Sequence, residues 1–178
     1  MRYYFDTEFI EYPCTIDLIS IGIVAEDGRE FYAEASDFDE SKAVEWVREN
    51  VISKLWHRQE DKKEFNAWTR DGGIGGLMKK HEIGSAIRRF ILPDEKPEFW
   101  AYYADYDWVV FCWLQGTMIN LPKGWPMYCR DLKQEADRFG VKFPQQTEGH
   151  HNALADAKWN REMFNWLSCI NPTKFEAR

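Results

Sequence analysis

The chain has 178 residues, 44% hydrophobic and 30% charged, an ordinary globular balance for one domain that excludes a disordered polymer. Its net charge of −7 excludes a general nucleic-acid-coating protein, which would be basic, but not an enzyme that grips a few nucleotides through metal ions. No run reaches the length of a membrane span, no charged-then-apolar leader opens the sequence, and Cys14, Cys112, Cys129 and Cys169 form no Cys-x-x-Cys, so a cytoplasmic protein with reduced thiols and no membrane partner is expected.

Residues 2–6 are predicted to form a first strand. Residues 15–35, TIDLISIGIVAEDGREFYAEA, read as two more strands in a hairpin that turns at Asp27-Gly28. Helical patterning starts near Ser41, with Val44, Val47, Val51 and Leu55 on one stripe. Residues 57–80 are polar and contain DGGIGG. Without a Gly-Lys-Ser/Thr ending or a preceding apolar strand they are not a phosphate-binding loop, and they read as a mobile turn. A helix is predicted from Glu82 to Leu92, facing Ile83, Ala86, Ile87, Phe90 and Ile91 inward, with Pro93 and Pro97 bracketing the loop beyond.

Next come a strand, EFWAYYA (98–104), and a helix apolar nearly all round, YDWVVFCWLQG (106–116). WPMYCR is predicted to hold a short strand. DLKQEADRFG is a helix capped by Asp131, with Gln134 three residues on and Gly140 ending it, and a last helix runs from about Asn152 to Ser168. Early antiparallel strands followed by βα units imply a single α/β domain over 1–178. Its mixed sheet, three antiparallel N-terminal strands plus parallel βα units, would carry helices on its faces.

Three places carry chemistry. Asp6 and Glu8 alternate along the first strand, so they share a face, and two like charges that close need compensation: a divalent cation, an arginine, or simple exposure. Asp105 and Asp107 sit where a strand runs into a buried helix, a position that suits helix capping as well as ligation. In GHHNALADAKW, Asp156 flanks the inward stripe of the last helix and His151 precedes it by five residues, with His150 as its competitor. A buried carboxylate there is costly unless paired.

Asp-x-Glu on the first strand, an aromatic-Asp at a strand-to-helix junction and His-x-x-x-x-Asp on a late helix resemble, in order and rough spacing, the three motifs of the DEDDh exonucleases. This branch of the ribonuclease-H-like superfamily includes ribonuclease T, oligoribonuclease and the DNA polymerase III proofreading subunit. HNALADA is close to the usual His-x-Ala-x-x-Asp-Ala form, and the opening MRYYFDTEFIE looks most like a small bacterial group of 3′–5′ exoribonucleases. The resemblance implies a ribonuclease-H-like fold, Asp6, Glu8, Asp107 and Asp156 as metal-binding carboxylates, and His151 as general base. One departure is plain: the family's middle motif usually has Asn four residues before the aspartate, where this chain has Tyr103.

Two Mg²⁺ (or Mn²⁺) ions roughly 4 Å apart would let four acids stay ionised and relieve charge on the leaving oxygen. A neutral imidazole, with an ordinary pKa of about 6.5, can accept the proton of the attacking water. The expected activity is hydrolysis of a single-stranded 3′ end, RNA rather than DNA, to nucleoside 5′-monophosphates. Phe9 and Ile10 are candidates to wedge against the terminal base, or ordinary core. The alternatives are a proofreading-type DNA exonuclease, an idle nucleic-acid-binding module on the same fold, and a Zn²⁺ phosphoesterase, which would want more histidines. The resemblance also suggests a homodimer.

Overall fold

The sheet grows outward from its first strand. β1 (Arg2–Tyr12) and β2 (Thr15–Ala25) pair antiparallel, and β3 (Glu30–Ala35) pairs antiparallel with β2. β4 (Ile74–Met78) adds parallel outside β3, while β5 (Glu98–Ala101) and β6 (Arg130–Asp131) add parallel on the other side of β1. A computed structural model describes residues 1–60, 63–91 and 96–170, and among these the strand order is β4-β3-β2-β1-β5-β6. The mixed α/β sheet expected from the sequence is therefore present.

Both faces are covered, which is why β2 reads as a nearly continuous apolar run. Odd residues of β1, Tyr3 and Phe5, pack with Ile21, Ile23 and Phe31 against α3 (Lys80–Ile91) and α4 (Asp105–Leu114). On the other face Tyr4 and Trp100 meet α5 (Leu132–Phe139) and α6 (Ala153–Ile170) through Leu132, Phe164 and Leu167. The Asp131 cap forms as expected: its Oδ1 accepts from the Gln134 N–H at 2.9 Å, and Gly140 closes α5 in the left-handed conformation. No helix among the described residues is long and apolar enough to cross a membrane.

Four expectations are corrected. The described part of residues 57–80 is not a mobile turn: it contains α2 (Lys63–Arg70) and β4, which pairs with β3 from Phe31↔Ile74 to Ala35↔Met78. The glycines read as breakers because the pattern of a strand resides in its side chains. Here Gly75 is required by a close approach, since a Cβ would lie 1.7 Å from the Tyr32 carbonyl oxygen. The helix expected from Ser41 is broken into a 3₁₀ turn (Glu40–Lys42), α1 (Glu45–Asn50) and two further 3₁₀ turns (Ile52–Lys54 and Trp56–Arg58). Breaking the segment lays Ala43, Val51, Ile52 and Leu55 on Ile10 and Ile19, and leaves Val44 exposed. Buried Glu34 fixes the last turn by accepting from the Trp56 N–H at 2.6 Å and the His57 N–H at 3.1 Å. The strand expected over 98–104 ends at Ala101, and only Arg130 of WPMYCR is in a strand. The expected helix end at Leu92, and Pro93, lie outside the described residues.

Candidate active site

Asp6 and Glu8 do share a face of β1, on the side covered by α6. What brings a third carboxylate to them is a glycine. Gly22 of β2 stands opposite Asp6 in the sheet register, and a Cβ there would lie 2.3 Å from the Ala153 carbonyl oxygen and 2.4 Å from the Leu154 Cα. The first turn of α6 thus rests directly on the strand backbone. Asn152 caps that turn through its side-chain oxygen, which accepts from the Ala155 N–H at 3.0 Å. Farther along, buried Asn160 donates from Nδ2 to the Phe5 carbonyl at 3.0 Å, tying the helix to β1 itself. Asp156 projects from the seated turn, and one carboxylate oxygen each from Asp6, Glu8 and Asp156 lie within 4.8 Å of one another.

Asp107 belongs to the same neighbourhood but outside that tight group. The helix begins at Asp105, so the two acids diverge around α4: Asp105 is exposed, and Asp107 is buried. Its Oδ1 accepts from the Thr7 N–H at 2.9 Å and the Thr7 hydroxyl at 2.5 Å. The start of α4 is set in turn by Asp131, whose Oδ2 accepts from the Ala104 N–H at 2.8 Å. Sequence reasoning missed Thr7 and the second role of Asp131. The one local sign of Thr7 is that, between two acids on a strand, it must face the other way, toward α4.

Without cations the cluster is strongly strained electrostatically. Burial, then the charges of Asp107, Asp156 and Glu8, raise the Asp6 pKa well above the usual carboxylate range. Glu8 is pushed up to about 8 by burial and by Asp156 and Asp107, with Lys54 opposing. Burial lifts Asp107 to about 6 against the two Thr7 hydrogen bonds, and lifts Asp156 against a Gln146 hydrogen bond and the nearby charges of His151 and His150. Four oxygen-donor groups that cannot all ionise alone are a fit set for hard divalent cations.

Asp6, His151 and Asp156 line one cleft of 630 Å³, together with His150, Asn160, Tyr102, Phe143 and Trp159. His151 sits in the left-handed region at φ 63°, and its ring meets Trp46 edge-on at 4.8 Å. His150 is exposed, and its Nε2 is engaged with the Gln146 carbonyl at 2.8 Å. Phe9 is half-buried, edge-on to Tyr106 at 5.9 Å, just past a bulge in the β1/β2 pairing between Glu8 and Phe9. Ile10 is a correction: it is 1% exposed, sealed against Ile19, Val51 and Leu55, and cannot reach a base.

Residues 1–167 match the family described as the 3′–5′ exoribonuclease Rv2179c-like domain. Two relatives are the 3′–5′ exoribonuclease MT2234.1 of Mycobacterium tuberculosis (strain CDC 1551 / Oshkosh) and the 3′–5′ exoribonuclease Rv2179c of Mycobacterium tuberculosis (strain ATCC 25618 / H37Rv). Each is 38% identical over 177 residues, covering 94% of this chain and 94% of the relative.

Proposed function

The chain belongs to the Rv2179c-like 3′–5′ exoribonuclease family, and from that premise we propose that it is a 3′–5′ exoribonuclease releasing nucleoside 5′-monophosphates from single-stranded 3′ ends by a two-metal mechanism of the DEDDh type. The observation that carries the mechanism is the convergence of Asp6, Glu8 and Asp156 within 4.8 Å, with Asp107 beside them. These four carboxylates would hold two Mg²⁺ or Mn²⁺ ions, which when bound supply activation of water and charge relief at the leaving oxygen. Thr7 keeps one oxygen of Asp107 engaged, so that the other is directed by α4 rather than by a free rotor. His151, beside Asp6 and Asp156 in the cleft, accepts the proton of the attacking water on an imidazole nitrogen. His150 suits that role less, because its Nε2 is held by Gln146. Asn160, bonded to the β1 backbone, keeps Asp156 aligned through α6.

The test is hydrolysis of 5′-end-labelled single-stranded RNA and DNA, resolved at single-nucleotide steps. Stepwise shortening of RNA that EDTA abolishes and Mg²⁺ or Mn²⁺ restores is the expected result, and undiminished shortening in excess chelator removes the metal mechanism. The protein is further proposed to be cytoplasmic and homodimeric. The outward side of α4, with Tyr106, Val109 and Trp113 exposed, offers a face for the second copy, and sedimentation velocity reads the outcome.

A further inference from the structure

The cleft that holds Asp6, His151 and Asp156 has a wall that bond cleavage does not use. Tyr102, at the end of β5, Phe143, in the loop after α5, and Trp159, on α6, line it together. Their rings meet edge-on: Tyr102–Trp159 at 5.1 Å, Tyr102–Phe143 at 5.8 Å and Phe143–Trp159 at 5.7 Å. None of these pairs is stacked: in each, the edge of one ring meets the face of the other, so the three rings splay around the cleft wall rather than forming a closed stack. Tyr103 extends the aromatic surface outward: its ring lies 4.6 Å from Tyr102, it is 62% exposed, and it is held at φ 56°, a conformation that a bulky residue seldom adopts. Phe143 is braced from behind by Trp166 at 5.8 Å.

Charge says what this wall does not bind. Among the described residues that line the cleft there is no lysine or arginine, so the aromatic wall offers a phosphate no cation, and the scissile phosphate belongs at the carboxylates, where metal ions would hold it. Lys54 and Lys158 line a neighbouring cleft, of 460 Å³, that shares His150 with the first. A cleft of 630 Å³ is within the ~300–1,000 Å³ usual for small ligands, and an uncharged aromatic wall suits a flat, neutral group. A single-stranded RNA whose phosphodiester lies at the carboxylates has one such group within a nucleotide's reach on either side.

We propose that Tyr102, Phe143 and Trp159 form a stacking subsite for a nucleobase adjacent to the scissile phosphate. The subsite rests on the reading of the carboxylate cluster as the catalytic centre. Because every base has a π-face, stacking accepts all four, which is what an exonuclease that must step through any sequence needs.

The experiment measures binding without turnover, by fluorescence anisotropy of 5′-labelled pentaribonucleotides in Ca²⁺. An abasic site is walked through the three 3′-terminal positions, and the proteins are wild type, Phe143→Leu, Tyr102→Leu and Phe143→Trp. The leucine substitutions keep apolar bulk and remove the ring. Each should weaken binding about 5- to 150-fold, the worth of one base–aromatic stack, while Phe143→Trp keeps it. One abasic position should cause the same loss on wild type and no added loss on the leucine variants. Full additivity at all three positions, or undiminished binding by both leucine variants, overturns the subsite. Failure of the catalytic premise shows differently, as hydrolysis that persists in Asp156→Asn.

Discussion

Replacing Gly22 with alanine tests how the site is assembled without touching any group that would act on RNA. The added Cβ would sit 2.3 Å from the Ala153 carbonyl oxygen, and its three nearest neighbours are all backbone atoms. No side chain can swing aside, so α6 must lift. Ordinary contact begins near 3.4 Å, so the first turn of the helix has to move about 1 Å away from β2. Asp156 lies on that turn, and it would be carried off the Asp6–Glu8 pair with which it now shares a 4.8 Å cluster. Overpacking of this kind costs about 1–3 kcal/mol, or a fall in Tm of roughly 2–12 °C for a chain of this size. A displacement of about 1 Å at a reacting centre costs on the order of 10²-fold in rate. The assay is kcat for single-nucleotide release from labelled RNA at saturating Mg²⁺, well below the Tm, alongside a thermal melt. Ile87→Val is the control: it removes a methylene from α3 on the other face of the sheet, should cost about 0.5–1.5 kcal/mol, and should leave kcat near wild type. Wild-type kcat in Gly22→Ala, or an equal fall in Ile87→Val, would refute the link from Gly22 to the carboxylates.

Three further outcomes are expected. Asp107→Asn should lose nearly all activity while remaining folded, because it keeps shape and deletes charge, whereas exposed Asp105→Asn should keep most of it; the reverse order in kinetics on the two folded variants would put the middle motif two residues out of register. His151→Ala should lower turnover by about 10²–10⁴-fold and His150→Ala far less, measured as single-turnover rates, and the opposite ranking would move the base to His150. In metal-free protein, Glu8 is raised to about 8 from 4.5, so the folded state holds its proton more tightly than the unfolded chain does. That stability is complete below pH ~4.5 and is lost as pH rises toward ~8, at up to about 1.4 kcal/mol per pH unit. Melts in EDTA should therefore fall between pH 5.5 and 8, and Glu8→Gln should flatten the slope. A Tm that climbs over that range would contradict the crowding of charges.

Much of the fold was legible because its signals are local. The β2–β3 hairpin follows from a Val/Ile-rich run and an Asp-Gly turn. The cap on α5 follows from Asp131, Gln134 and Gly140, all within ten residues. That Asp6 and Glu8 share a face follows from the period of a strand alone. Tertiary structure decided the rest. Nothing in DGGIGG announces a strand, since glycines carry no pattern, and β4 exists because β3 offers it an edge. The valine stripe after Ser41 promised a helix, yet covering Ile10 and Ile19 required a segment that bends, and that same cover closed Ile10 off from any substrate. Asp105 and Asp107 were nearly equivalent as letters. The point at which α4 begins separates them, and it is set by Thr7 and Asp131 from other strands. The third carboxylate of the cluster depends on a missing side chain at Gly22, which lets a helix from the other end of the chain rest on the sheet. Periodicity is a property of neighbours in sequence, whereas a close approach is a property of two backbones in space, so the sequence determined which acids could share a face and only the packed chain brought them together.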